Sequence, residues 1–271
     1  MELDVLLSRE PQLPSLPKVV ALLLSELARP QPDLRKLQQL FSADPALAMR
    51  LLRLANQDAG PDGGGVTSIA QALAMLEAGA LREPASAAAR DGASRQLPLT
   101  QFWRYSVHVA KLSRALAASV RQNQATAFTT GLVHAIGELL LYAGASEDMA
   151  SLDLMSSPVD LRRARLEQRM FGYCYADVGA ALAQQWQFPA PVVDALRHQT
   201  APFDNEVYEP LAGVVHLATW RARAHEAGLN ERALATSFPG EVGLALGLDI
   251  DMVLQQDPID WSARAEPHHL L

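Results

Sequence analysis

Leucine and alanine recur at three- and four-residue spacing along almost the whole chain, and no run of alternating β-branched residues bounded by turns interrupts them. That spacing lines apolar side chains along one face of a helix and leaves no segment patterned for a half-buried strand, so the expected fold class is all-α. The chain has 271 residues, 49% of them hydrophobic. This is enough to bury a continuous core, and disorder is not expected.

Local signals punctuate the helices. Pro17 to Ala28 carries Val20, Leu23, Leu24 and Leu27 on one face, and Pro30-Gln31-Pro32 ends it, because proline disfavours a helical residue before it. Asp33 is placed to cap a helix bearing Leu34, Leu37, Leu40 and Phe41. Asp44-Pro45 puts an acid at an N-cap and proline at the first helical position, predicting a helix to about Asn56. Gln57 to Gly65, rich in glycine, reads as a loop, after which Thr67 or Ser68 can cap a helix with Ile69, Leu73 and Leu76.

Between about Ala85 and Leu97 the composition shifts to Ala, Ser, Arg and Gly, and Pro98 follows, which suggests a boundary. Beyond it, helices are predicted over Leu99 to Arg121, Ala127 to Ala143, Pro158 to Met170, Tyr175 to Trp186, Pro189 to Gln199 and Leu211 to Ala227. Shorter ones are predicted near Gly240 to Leu246 and Asp251 to Gln256. The implied organisation is an N-terminal helical lobe over 1–95, a helical bundle over 98–228 and an acidic C-terminal extension over 229–271, with the groove between the two lobes as a contact surface.

Charge and cysteine content narrow the function classes. The formal net charge is −7. Glu241, Asp249, Asp251, Asp257, Asp260 and Glu266 crowd the last part of the chain, so a phosphate backbone is repelled and nucleic acid is not an expected partner. Cys174 is the single cysteine, which excludes an internal disulfide and a cysteine zinc cluster. Met1 to Glu10 carries acids where a secretory signal has basic residues, and no apolar run is long enough to span a membrane. No membrane partner is expected, and the expected location is the cytoplasm.

Several segments carry a family resemblance. DPALAMRLLRLAN (Asp44 to Asn56), VTSIAQALAML (Val66 to Leu76), FWRYSVHVA (Phe102 to Ala110), GLVHAIGELLL (Gly131 to Leu141), ADVGAALAQQWQFP (Ala176 to Pro189), VDALRHQTAP (Val193 to Pro202) and PLAGVVHLA (Pro210 to Ala218) occur in that order. Together they resemble the HDOD family, a bacterial relative of the HD and HD-GYP phosphohydrolases, over roughly Pro14 to Arg223. The resemblance implies an N-terminal helical lobe packed on an HD-like bundle. In catalytic HD enzymes it implies one or two metals, held by histidines and aspartates, that activate water for attack on phosphorus.

Here the implied ligand positions have changed. Tyr105 stands for the first histidine, His134-Ala135 for the His-Asp pair, Tyr175 for the next histidine, Gln199-Thr200 for a pair of histidines and Thr219 for the last aspartate. Glu138 replaces a lysine that the resemblance associates with phosphate binding. Only His134 remains, and one ligand cannot hold a divalent ion against solvent. Neither metal nor other cofactor is expected, no residue is assigned a catalytic role, and Tyr105 and Tyr175 are expected to fill the pocket with rings whose hydroxyls need partners.

Other residues have ordinary readings beside sharper ones. His108, His198 and His216 neighbour lost positions, but shifts of one or three residues turn a side chain out of a tight coordination sphere, so a rebuilt metal site is not expected. Cys174, between Tyr173 and Tyr175, reads as a structural thiol. Arg50 and Arg53, with Arg35 and Lys36 upstream, could bind phosphate or an acidic partner but read as a solvated helix face, and the cluster Arg162, Arg163, Arg165 and Arg169 reads likewise, with local pairing to Asp160 and Glu167. Trp103, Trp186 and Trp220 are expected in the core, and Trp261 is expected to fold back on the body.

The resemblance implies a non-catalytic bacterial signal-transduction module whose partners are other signalling proteins, in a network linked to cyclic di-GMP. Two alternatives stay open: a metal-dependent phosphohydrolase or phosphodiesterase with an atypical site, and a nucleotide-sensing domain that uses the vacated pocket.

Overall fold

The computed structural model describes residues 2–8, 12–59, 65–91 and 99–261, and every regular element among them is a helix. The first six are α1 (Leu3–Leu7), α2 (Pro17–Leu27), α3 (Leu34–Ser42), α4 (Pro45–Ala59), α5 (Ile69–Met75) and α6 (Arg82–Asp91). Next come α7 (Leu99–Ser119), α8 (Gln124–Val133), α9 (Ile136–Gly144), α10 (Ser146–Asp153), α11 (Arg163–Phe171) and α12 (Tyr175–Gln185). The last are α13 (Ala190–His198), α14 (Pro210–Glu226), α15 (Glu231–Ser237), α16 (Gly240–Leu246) and α17 (Ile250–Gln255).

The capping residues act as their chemistry dictates. The Asp33 carboxylate accepts the Arg35 backbone N–H at 2.8 Å, and the Ser68 hydroxyl accepts that of Gln71 at 3.3 Å. Asp44 does more. It is fully buried, accepts the N–H groups of Ala46 and Leu47 at the start of α4, and accepts that of Leu16 at 2.8 Å, tying the entry of α2 to that of α4.

Helix α7 packs along α8 and α14, while α12 lies between α9 and α13. Helix α4 joins the two parts, packing on α5 and α6 and also on α8. One buried apolar cluster runs through all of them from Leu6 to Val253. Trp103, Trp186 and Trp220 belong to it, as expected.

Several sequence expectations need correction. Helix α4 continues to Ala59 rather than ending near Asn56, whose side chain bridges to both the N–H and the carbonyl of Val66; Gly60 to Gly64 lie outside the described residues. Helix α6 was not predicted: it starts at Arg82 and runs into the segment whose composition shifts, and its small residues Ala85 and Ala88 are buried and let it pack closely against α2 and α4. Residues 92–98 lie outside the described set. Pro158 to Arg162 forms turns, and α11 starts only at Arg163. Helices α1, α10 and α15 were not predicted.

Ala127 to Ala143, expected as one helix, belongs to two, α8 and α9. Ala135, at φ −104° and ψ 18°, leaves helical geometry between α8 and α9. The amide of Gln199 donates to the carbonyl of His134 at 2.8 Å, so a side chain from beyond α13 satisfies a group that the break releases.

Trp261 folds back, as expected. Its ring stacks on His225 with centroids 4.0 Å apart, meets His108 edge-on at 4.9 Å, lies 4.9 Å from the Arg221 guanidinium, and its indole N–H donates to Asp257 at 2.6 Å.

Candidate functional site

The break between α8 and α9, together with α7, α12, α13 and α14, brings the predicted pocket residues together. His134 is fully buried at the end of α8. Its Nδ1 lies 2.7 Å from the Gly131 carbonyl, and its Nε2 lies 3.1 Å from the Tyr105 hydroxyl on α7. A carbonyl can only accept, so Nδ1 carries the proton and Nε2 accepts from the tyrosine. The tyrosine oxygen in turn accepts from Arg223 Nε on α14 at 2.8 Å. The donors thus run in one direction, from guanidinium to phenol to imidazole to carbonyl, and the remaining imidazole lone pair is committed.

Arg223 lies in the middle of the set. It is 3% exposed, sits 5.7 Å from the Tyr105 ring centroid and 5.3 Å from that of Tyr175, and donates to the Asp160 carbonyl at 3.0 Å. Thr219, one turn earlier on α14, is next to the Tyr105 hydroxyl. Gln199 Nε2 bonds the carbonyls of His134 and Leu196, and the Gln199 carbonyl is 2.6 Å from His216 Nδ1. Thr200 is half-buried just beyond α13 and stands outside this hydrogen-bonded set.

Glu138, one turn into α9, faces a second buried arginine. Arg163 is 0% exposed. It donates to Glu167 at 2.8 Å, to Asp153 at 2.7 Å and to the Ser156 carbonyl at 2.7 Å, and lies 3.6 Å from Glu138. Glu167 also accepts the Tyr175 backbone N–H at 2.8 Å. Burial, reinforced by the adjacent Glu167 charge, pushes the Glu138 carboxyl well above the usual carboxylate range, against the pull of Arg163.

What space is left is small. Tyr105, Ala135 and Glu138, with Phe102 and Val159 beside them, surround about 10 Å3, room for a single water. Among the described residues no three His, Cys, Asp or Glu side chains converge in a way that could hold a metal ion. The donor set does not fit a divalent cation. Tyrosine, threonine and amide groups stand at the ligand positions, and a permanently charged guanidinium at their centre repels a second cation.

The solvated-face reading fails for two arginines: Arg163 is buried beside the pocket, and Arg50 is buried and paired with Asp91. Arg223, which the sequence reading did not single out, lies at the centre of the pocket. The available signal for Arg223 was helix phase, since it lies one turn beyond Thr219. The other histidines near lost positions have separate partners: His108 packs on Trp261 and His216 bonds Gln199. Burial pushes the Cys174 thiol up to about 12, in keeping with a structural role.

Burial lowers the His134 imidazole to about 3, so the unfolded chain takes up a proton there before the folded one does. Its contribution to stability is complete above the unfolded value near 6.5 and is lost as pH falls toward 3, at about 1.4 kcal/mol per pH unit. Relative to His134→Gln, the parent protein should therefore lose stability steadily below about pH 6.5. Urea midpoints of both proteins between pH 7 and 4 measure this; parallel curves would show that the imidazole is not held neutral.

Residues 13–202 match the HDOD domain family. A relative described as an uncharacterised protein from Treponema pallidum (strain Nichols) is 26% identical over 219 residues, which cover 78% of this chain and 42% of that one. The chain thus spans less than half the length of that relative. Among solved structures, the MmoQ response regulator from Methylococcus capsulatus str. Bath superposes with a TM-score of 0.72 at 22% identity, covering 91% of this chain and 98% of that one. A structure from Shewanella amazonensis SB2B with a provisional phosphohydrolase name superposes with a TM-score of 0.55 at 27% identity, covering 94% of each chain.

Proposed function

The chain belongs to the HDOD family, and on that premise we propose that it is a non-catalytic signal-transduction module that works by binding other signalling proteins, in a regulatory network linked to cyclic di-GMP. The observation that carries this reading is Arg223, whose guanidinium bonds Tyr105 and lies 5.3 Å from the centroid of the Tyr175 ring; these two tyrosines stand at positions where the family resemblance implies metal-ligating histidines. A likeness to a protein named a response regulator supports the signalling part. No described helix is long and apolar enough to cross a membrane, which is compatible with a cytoplasmic role.

The alternative of an atypical phosphohydrolase draws on the provisional name of the Shewanella structure. It requires a metal to displace Arg223 and free His134 Nε2 from Tyr105. A nucleotide sensor using the former metal pocket would need far more than the roughly 10 Å3 present. Elemental analysis of the purified chain, run beside a cyclic di-GMP hydrolysis assay, separates these readings. We expect iron, manganese and zinc at background and no turnover. Stoichiometric metal together with hydrolysis would overturn the proposal, and affinity purification from the native host then addresses which partners are bound.

A further inference from the structure

Away from the His134 pocket, a groove of about 590 Å3 runs between α3 and α5 on one side and α7 and α8 on the other. Arg35 lines it from α3, and Lys111 and Arg114 line it from α7, one turn apart. All three are exposed, and no aspartate or glutamate is among the lining residues. Among the described residues none of these three cations is in an ion pair, whereas Lys36, their neighbour on α3, is paired with Glu26.

In a chain of net charge −7, three unpaired cations on one groove reverse the local field. They repel one another, and an anion between them removes that cost. The groove also supplies the side-chain amides of Gln38 and Gln39 and an apolar surface in Phe128, whose ring lies 5.4 Å from the Arg114 guanidinium. Beside it, the start of α5 is tied to α8 by a 2.7 Å hydroxyl contact between Thr67 and Thr126 and by the Ile69 N–H donating to Thr129 at 3.2 Å. A bounded space of this size suits a small ligand. It lacks the long apolar stripe that a docked helix needs.

We propose that this groove binds a small phosphate-bearing anion of nucleotide size, with its phosphates held by Arg35, Lys111 and Arg114. Guanidinium groups match phosphate oxygens in pairs, and the lysine adds a point charge. The ligand would bridge α3 to α7 and so join the N-terminal helices to the bundle. This goes beyond the signalling role, which stands or falls separately.

Calorimetric titration of the full chain with inorganic tripolyphosphate and with ATP tests the proposal. Both should bind stoichiometrically, more weakly at higher salt. The K111E/R114E variant should bind at least about tenfold more weakly, as should R35E on the opposite wall, while R53E, outside the groove, should bind as the parent does. Circular dichroism checks that each variant is folded. The proposal is overturned by the absence of saturable binding to either phosphate probe, or by binding that the groove variants leave unchanged. Tighter binding of a hexaglutamate peptide, lost in the same variants, would also overturn it by assigning the groove to an acidic protein segment.

Discussion

Replacing Arg163 by methionine is expected to cost about 3–5 kcal/mol of folding stability, among the largest effects of any single substitution in this protein. The guanidinium is fully buried between Glu167 at 2.8 Å and Glu138 at 3.6 Å, and it also holds Asp153 and the Ser156 carbonyl. Methionine fills similar volume but leaves the buried Glu138 and Glu167 carboxyls without the guanidinium that faces both. Glu138, already pushed well above the usual carboxylate range by burial, loses its nearest cation, so the variant should lose further stability as pH rises. Arg163→Lys keeps the charge but not the fork of donors, and should fall between the two. Adding Glu138→Gln to the methionine variant removes one carboxyl and should recover part of the loss. Urea unfolding of the four proteins measures all of this; a loss below about 1 kcal/mol for R163M would show that the network is not coupled as its geometry implies.

The same network shows what was legible in the sequence and what was not. Asp33, Asp44 and Ser68 were readable as caps because capping is local: the side chain bonds an N–H two or three residues away. The all-α class followed from periodicity for the same reason. Arg163 was not readable as buried, because an arginine near acids on a helix has the pattern of a solvated face, and Arg223 offered only its helix phase relative to Thr219. What buries Arg223 is Tyr105, 118 residues away. Arg50 pairs with Asp91, 41 residues away in a segment whose Ala, Ser and Arg content suggested a boundary.

The pocket residues were legible only as positions. Resemblance placed Tyr105, His134, Ala135, Tyr175, Gln199, Thr200 and Thr219 at former ligand sites and Glu138 at a former phosphate-binding lysine, and most of them do meet. It could not show that Gln199 would supply the hydrogen bond that lets α8 end at His134, since leucine and alanine continue in helical phase through that point. Nor could it show what occupies the middle. Lost ligands leave open whether a pocket is empty, rebuilt or filled; here Arg223 lies against the rings of Tyr105 and Tyr175, and the space between Tyr105, Ala135 and Glu138 is about that of one water.

Gly137 carries the second large prediction. It lies in the first turn of α9, against the first turn of α12, and a Cβ added there would come within 2.1 Å of the Tyr175 carbonyl oxygen and 2.8 Å of the Gly179 nitrogen. Both are backbone atoms of a packed helix, so no rotamer change relieves the clash and the helices must separate. Alanine gains up to about 1 kcal/mol over glycine in helix propensity, yet the overlap should outweigh it, with a net loss of about 3 kcal/mol or more for Gly137→Ala. Gly179→Ala is the control on the facing helix. Its added methyl would meet the Cγ2 methyl of Ile136 at 3.3 Å, a contact that a shift of a few tenths of an ångström relieves, so propensity and crowding should nearly cancel. Separating α9 from α12 would also draw Tyr175 away from Glu167, whose carboxylate accepts its N–H, and so loosen the Arg163 network. If that coupling holds, the losses from G137A and R163M should fall short of their sum in the double variant, a non-additivity that urea midpoints resolve.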